Sequence, residues 1–240
     1  MKPATLARRL LPFLPLVALG LLAPSASAGD PEHDWGVWIA FAGQGHLSPA
    51  DPDARWRAWL DLHARFLDDS DGFEQSIVRP GIGYDLDERS TVWLGYGWIR
   101  TDPRSGNDFD EDRVWQQYTW GGPLGDYDFF WRSRLEQRWI EDGDDVGWRF
   151  RQFVRFTHPL EAGSRLGWRA WDEGFFDLND TDWGADPGFA QNRLFLGLGW
   201  NLETSLPATL EFGYLNQYIS RPSRSDAMNH ILALTWLQSW

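Results

Sequence analysis

Trp56, Ala58, Leu60, Leu62, Ala64 and Phe66 form one apolar face of a dozen-residue segment. Arg55, Arg57, Asp61, His63 and Arg65, with Trp59, line the other. A period of two sustained over that length puts polar and apolar side chains on opposite faces of a strand, and a helix cannot reproduce it. The pattern recurs along the chain. Val92, Leu94, Tyr96 and Trp98 alternate with Thr91, Trp93, Gly95 and Gly97, and Leu194, Leu196, Leu198 and Trp200 alternate with Arg193, Phe195, Gly197 and Gly199. Eleven such segments lie near 35–42, 54–67, 74–86, 90–101, 111–120, 127–140, 146–157, 164–174, 190–202, 208–219 and 229–240.

Segments of about ten alternating residues are what a tilted strand needs to cross a bilayer. The mean hydropathy of −0.46 does not oppose this, because the polar half of a barrel strand cancels its apolar half in any average. The expected fold class is all-β, an antiparallel transmembrane β-barrel. Single-chain bacterial barrels have an even number of strands. The expectation is therefore twelve, with a further strand inside 173–190, or ten if 35–42 is not a full strand.

The first residues read as an export signal. Lys2, Arg8 and Arg9 are basic, Leu10 to Leu22 is an apolar run, and Ala26-Ser27-Ala28 supplies a small-x-small cleavage site. The run contains Pro12 and Pro15 and is shorter than a spanning helix needs. Residues 1–28 are thus expected to be a signal peptide and 29–240 a barrel in the outer membrane of a Gram-negative bacterium. The sequence contains no cysteine, so no disulfide framework holds an exported chain of this kind. The precursor's net charge of −13 becomes more negative once the signal is removed, which disfavours nucleic acid as a partner. Lys2 is the only lysine, so every basic side chain of the mature chain is an arginine.

The connections 86–89, 121–126, 159–163 and 203–207 are short, whereas 68–74, 102–112, 141–145, 172–186 and 220–228 are long or acidic. Short turns face the periplasm in such barrels, which places Trp240 on that side. Tyr84, Trp120, Phe129, Phe156, Trp168, Trp200, Phe212 and Trp240 then fall at periplasmic strand ends, and Phe66, Trp98, Trp139 and Trp148 at the opposite ends. Two interfacial belts account for 17 tryptophans. A soluble, tryptophan-rich carbohydrate binder is the competing reading, but it has no reason to order its aromatics by strand end.

Several runs, in order and spacing, resemble a known family. They are RSRLEQRW from Arg132 to Trp139, WRFRQFVRF from Trp148 to Phe156, EGFF at Glu173 to Phe176, QNRLFLGLGW from Gln191 to Trp200, GYLNQY from Gly213 to Tyr218, and NHILAL from Asn229 to Leu234. Together they resemble the barrel group called domain of unknown function twenty-four-ninety, through most of the mature chain. The resemblance implies an outer-membrane barrel and carries over no activity or functional residue. The tail also resembles a barrel-assembly signal, carried by Trp236 and Trp240 and interrupted by the polar Gln238, which implies the barrel-assembly machinery as a partner.

The predicted lumen face carries a charge ladder of Arg132, Arg134, Glu136 and Arg138, then Arg149, Arg151 and Arg155, then Arg165, Arg169 and Glu173, with Arg193 further on. Simple hairpins put Glu136 and Glu173 on either side of Arg151. Like charges such as Arg138 beside Arg149 need further acids or bound anions. The ladder reads first as a salt-bridged filling of a narrow barrel, with Trp59, Trp93, Trp115, Trp171 and Phe195 pointing inward beside it. The functional reading is a narrow anion or solute passage, since rings of arginine attract anions.

A surface enzyme acting on lipid or lipopolysaccharide ranks below both. His63 beside Asp61 is its weak general-base candidate, no serine can be placed against it, and Ser133 faces lipid. No cofactor or metal site is predicted, because no spacing matches a calcium loop. Acidic loop residues, among them Asp68, Asp69, Asp71, Asp108, Asp110, Glu111, Asp112, Asp142, Asp144 and Asp145, suggest contact with outer-membrane lipid and lipopolysaccharide bridged by divalent cations. Gln116, Gln137 and Gln152 fall on the lipid face of successive strands, which reads as a register slip in preference to a protein contact.

Overall fold

The alternation is realised as β1 (Glu32–His46), β2 (Trp56–Leu67), β3 (Gly72–Asp85), β4 (Ser90–Thr101), β5 (Phe109–Leu124), β6 (Tyr127–Ile140), β7 (Gly147–Pro159), β8 (Leu166–Asp177), β9 (Gly188–Leu202), β10 (Ala208–Ile219) and β11 (Ala227–Ser239). The computed structural model describes residues 30–51, 53–67, 72–103, 106–222 and 224–240. The export signal at 1–28, and the acidic residues Asp68, Asp69 and Asp71, lie outside the described residues. Each strand pairs with its chain neighbours, and β1 pairs with β11 to close a barrel.

The barrel has eleven strands, not twelve or ten. The segment read as 35–42 is a full strand with ladders on both sides, and 178–187 joins β8 to β9 without adding a strand. In an up-and-down order the first and eleventh strands run the same way. The closing ladder is therefore parallel, with Val37 opposite Leu232 and Ala40 opposite Thr235, while every other ladder is antiparallel. Even numbers are required only where closure is antiparallel. The parallel ladder also places the start of β1 and the end of β11 at opposite rims.

Parallel pairing is slightly weaker per residue, and the seam carries a supplement. Beyond β11, Trp240 N–H donates to Gln44 O (3.3 Å) and His46 N–H to Trp240 O (3.2 Å). The Trp240 ring lies over Gly43 and Gly45 of β1, where a Cβ on either glycine would collide with it. Gln238 is satisfied in place, donating to Pro207 O (2.9 Å) and accepting from Trp236 Nε1 (3.1 Å).

No slip occurs at the outward glutamines, since the β5–β6 and β6–β7 registers run without a break. Gln116 and Gln137 exchange two amide hydrogen bonds of 3.0 Å, and Ser133 Oγ donates to Gln152 Oε1 (2.8 Å). Polar groups are costly on an apolar surface unless partnered, and these partner each other. The register does shift elsewhere, at Arg65/Phe66 and at Phe175/Phe176.

The outward surface has aliphatic side chains along the strand middles, including Ile39, Ile82, Leu94, Leu196 and Leu232, the last 61% exposed. Aromatic rings gather toward the rims. At the rim where β11 ends, Trp120, Phe129 and Phe156 form a chain with centroids 5.9 and 5.0 Å apart, and Tyr127 continues it to Trp168 at 5.6 Å. At the other rim the connection 178–187 folds over 141–146. Asp182 accepts from the backbone N–H of Asp144 and Asp145, and Trp183 Nε1 donates to Asp145 O.

Candidate functional site

Eight strands close to a lumen that side chains can fill, and sixteen leave an open channel. Eleven strands lie between, and the interior here is part filling and part cavity. The filling comes from β4 to β8. Trp115 and Glu136 have no exposed surface, and Arg134 and Arg151 are nearly as buried.

Arg151 lies between two carboxylates. Its Nη1 is 2.6 Å from Glu136 Oε1, and its Nη2 and Nε are 2.8 and 3.0 Å from Glu173 Oε1. Glu136 also receives Arg113 and Arg134, each at 3.5 Å, and Glu173 receives Arg132 at 2.5 Å. In register Arg151 stands opposite Arg134, so the pairs form diagonally. Charges held this way in a water-poor interior are fixed more than they are stabilising.

The like charges Arg138 and Arg149 share Asp177, at 3.8 and 2.6 Å. Glu111, read from sequence as part of an acidic loop, is instead an inward residue of β5. It accepts two bonds from Arg113 (2.8 and 2.7 Å) and one from Arg138 (2.5 Å). Its parity with Arg113 and Trp115 was the signal that could have placed it inside. Arg165 is the reverse case. It precedes β8, is exposed at the rim and pairs with Glu203, so it is not part of the lumen ladder. The hairpin there closes at Leu166, whose carbonyl accepts from Leu160 N–H (3.0 Å), which leaves Arg165 outside the ladder.

Two chambers remain, of about 450 and 230 Å³. The larger opens toward the rim where β11 ends. Along β11 and β1 it is lined by small residues, namely Ala233, Ala40 and Ala42, whereas the glycines Gly197 and Gly213 of β9 and β10 are covered by the Phe195 ring. Seven arginines line it against only Asp61, Glu173 and Glu211. The smaller lies toward the opposite rim and is lined by seven arginines against Glu74 and Glu111. Trp38, Arg65, Arg79, Arg151 and Arg193 border both chambers and form the layer between them.

His63 sits on the wall of the larger chamber with Nε2 2.5 Å from Asp61 Oδ1, and Arg79 Nη2 reaches Asp61 at 2.7 Å and His63 Nε2 at 3.1 Å. Nδ1 has no partner among the described residues. Ser133 is on the other side of the wall, bonded to Gln152, and so cannot serve as a nucleophile for it. Among the described residues no three acidic or imidazole side chains are placed to hold a metal ion. The loop carboxylates of Asp145 and Asp182 are taken up by backbone N–H groups.

A family model described as "Protein of unknown function (DUF2490)" matches residues 35–229. The chain belongs to this family. The match begins inside β1 and ends three residues into β11, so it covers β2 to β10 whole and stops before most of the closing ladder. An uncharacterized protein of Methylorubrum extorquens strain AM1 is 33% identical over 225 residues, covering 91% of this chain and 94% of that relative. No solved structure matches the chain.

Proposed function

We propose that the protein is an outer-membrane barrel that acts as a narrow anion passage, closed in this state by the layer of Trp38, Arg65, Arg79, Arg151 and Arg193. The outward surface supports the membrane location. An aliphatic band flanked by aromatic rings matches the profile of a bilayer with its two interfaces, and a soluble sugar binder would hold such residues in a core. In this reading the rim where β11 ends faces the periplasm. The opposite rim then meets lipopolysaccharide, with its acidic loops bridged by divalent cations, and Trp236 and Trp240 engage the assembly machinery before closing the seam.

The observation that carries the passage is the surplus of guanidinium over carboxylate in both chambers. A purely structural filling would match its charges. Among the described residues the buried side-chain polar atoms without a hydrogen-bond partner tell the same story: apart from Glu211 Oε2, which has Arg169 Nε at 3.8 Å, they are nitrogens such as Arg65 Nε and Arg132 Nε. A lumen short of acceptors attracts anions and repels cations.

Reversal potential across a planar bilayer under a potassium chloride gradient tests this. The expected result is a small current with a reversal potential displaced toward that of chloride. Cation selectivity would overturn the proposal.

A further inference from the structure

The layer between the chambers contains two arginines that no carboxylate contacts; their nearest counter-charges, Glu74 for both and Glu173 for Arg193, stand further off. Arg65 lies with its guanidinium carbon 3.9 Å from the centroid of the Trp38 ring, and Arg193 with its own 4.8 Å from the same ring and 4.6 Å from Phe175. Among the described residues no carboxylate is within ion-pair distance of either. Their polar neighbours are amides. Arg65 Nη1 donates to Gln75 Oε1 (2.7 Å). The Gln191 amide, turned with its oxygen toward Arg193, accepts from both Nε and Nη2 of that guanidinium (2.9 Å for Nη2) and from Gln217 Nε2 (2.8 Å).

Arg65 and Trp38 are 6% and 5% exposed, and Arg65 Nε and Trp38 Nε1 are buried donors with no acceptor. A buried donor left without an acceptor is destabilising. With Gln75 on Arg65 Nη1 and Gln191 on Nε and Nη2 of Arg193, Arg65 Nε and Arg193 Nη1 are left to donate to an oxyanion. Beside one indole N–H they make a donor set for one multiply charged anion.

We infer that this layer is a binding site for a water-soluble tetrahedral oxyanion of the phosphate or sulfate class, held by Arg65, Arg193 and Trp38 Nε1. The inference deepens the passage reading and rests on it for its role, because an anion seated here is reached from both chambers. It does not rest on it for the binding itself. The ladder is hydrogen-bonded all round, so a bilayer lipid has no lateral way in, and the ligand arrives through the chambers.

The test uses the full mature chain folded in a zwitterionic detergent without phosphate, titrated calorimetrically with sodium sulfate, with inorganic phosphate, and with sodium chloride at matched ionic strength. Saturable binding of sulfate or phosphate is expected, with an upward shift of the unfolding midpoint that chloride does not give. Arg193→Gln and Arg65→Gln each lower the affinity at least tenfold, and Arg193→Lys, which keeps the charge but not the fork, lowers it less than Arg193→Gln. Arg155→Gln, in the larger chamber and away from Trp38, leaves it unchanged.

Equal shifts with sulfate and chloride, or full affinity in both Arg65→Gln and Arg193→Gln, would overturn the site. A short-chain acyl phosphate that binds tenfold more tightly than inorganic phosphate would overturn the water-soluble class in favour of a lipid headgroup. Sulfate binding in a barrel that passes no current keeps the site and removes the passage. An anion-selective current without sulfate binding does the opposite.

Discussion

Glu136 accepts from Arg113, Arg134 and Arg151 with none of its own surface exposed. Replacing it with glutamine leaves three guanidiniums facing one neutral amide. Breaking a buried pair on one side costs about 3–5 kcal/mol, and Glu136→Gln is expected to lower stability by about that much in urea unfolding of the micelle-folded barrel. An unchanged midpoint would mean that the ladder is solvated. Most of this ladder was legible in the sequence, because period-two parity alone assigns Arg132, Arg134, Glu136 and Arg138 to one face. Trp38 was not. It stands in a segment whose inward neighbours are Ala40 and Ala42, small residues that resemble outward ones, so nothing in the alternation marked its face. The surplus of guanidiniums around it depends on which strands meet across the lumen, and parity within a strand carries no information about that.

At the scale of elements, the β1–β11 seam is the unusual ladder. The chain has no native cysteine, so a Val37→Cys, Leu232→Cys pair reports on closure alone. These residues are direct partners in the parallel register, within the span a disulfide bridges. Mild oxidation is expected to crosslink them within one chain, and Val37→Cys with Leu194→Cys is expected to stay reduced. The strand boundaries were readable to within a few residues, but the parallel seam was not, since the rule of even number assumes antiparallel closure.

The connection 178–187 gives a pH dependence at the same scale. Backbone N–H groups of Asp144, then of Asp145, hold the Asp182 carboxyl below the usual carboxylate range. A group whose pKa is depressed in the folded state contributes stability above its unfolded pKa and loses it as pH falls through the folded one. Below the carboxylate range the contact between 178–187 and 141–146 is expected to loosen, read as a lower protection factor, the exchange rate relative to the intrinsic rate at each pH, for the amides of Asp144 and Asp145. Asp182→Asn is expected to show protection there that no longer changes with pH across that range.

For the whole molecule, eleven strands set a lumen too wide to be filled by the ladder from β4 to β8 alone. The small residues Ala233 of β11 and Ala40 and Ala42 of β1 leave space there as a chamber instead of closing it. Trp38 and its arginines divide that space, so in the proposed passage one ring and the cations around it set what crosses. The most direct measurement is single-channel current in a planar bilayer for the wild-type chain and for Trp38→Gly, with folding of both verified by circular dichroism. The predicted result is a small anion-selective current in the wild type that rises several-fold in Trp38→Gly and keeps its anion selectivity. No current in either folded protein would contradict the account.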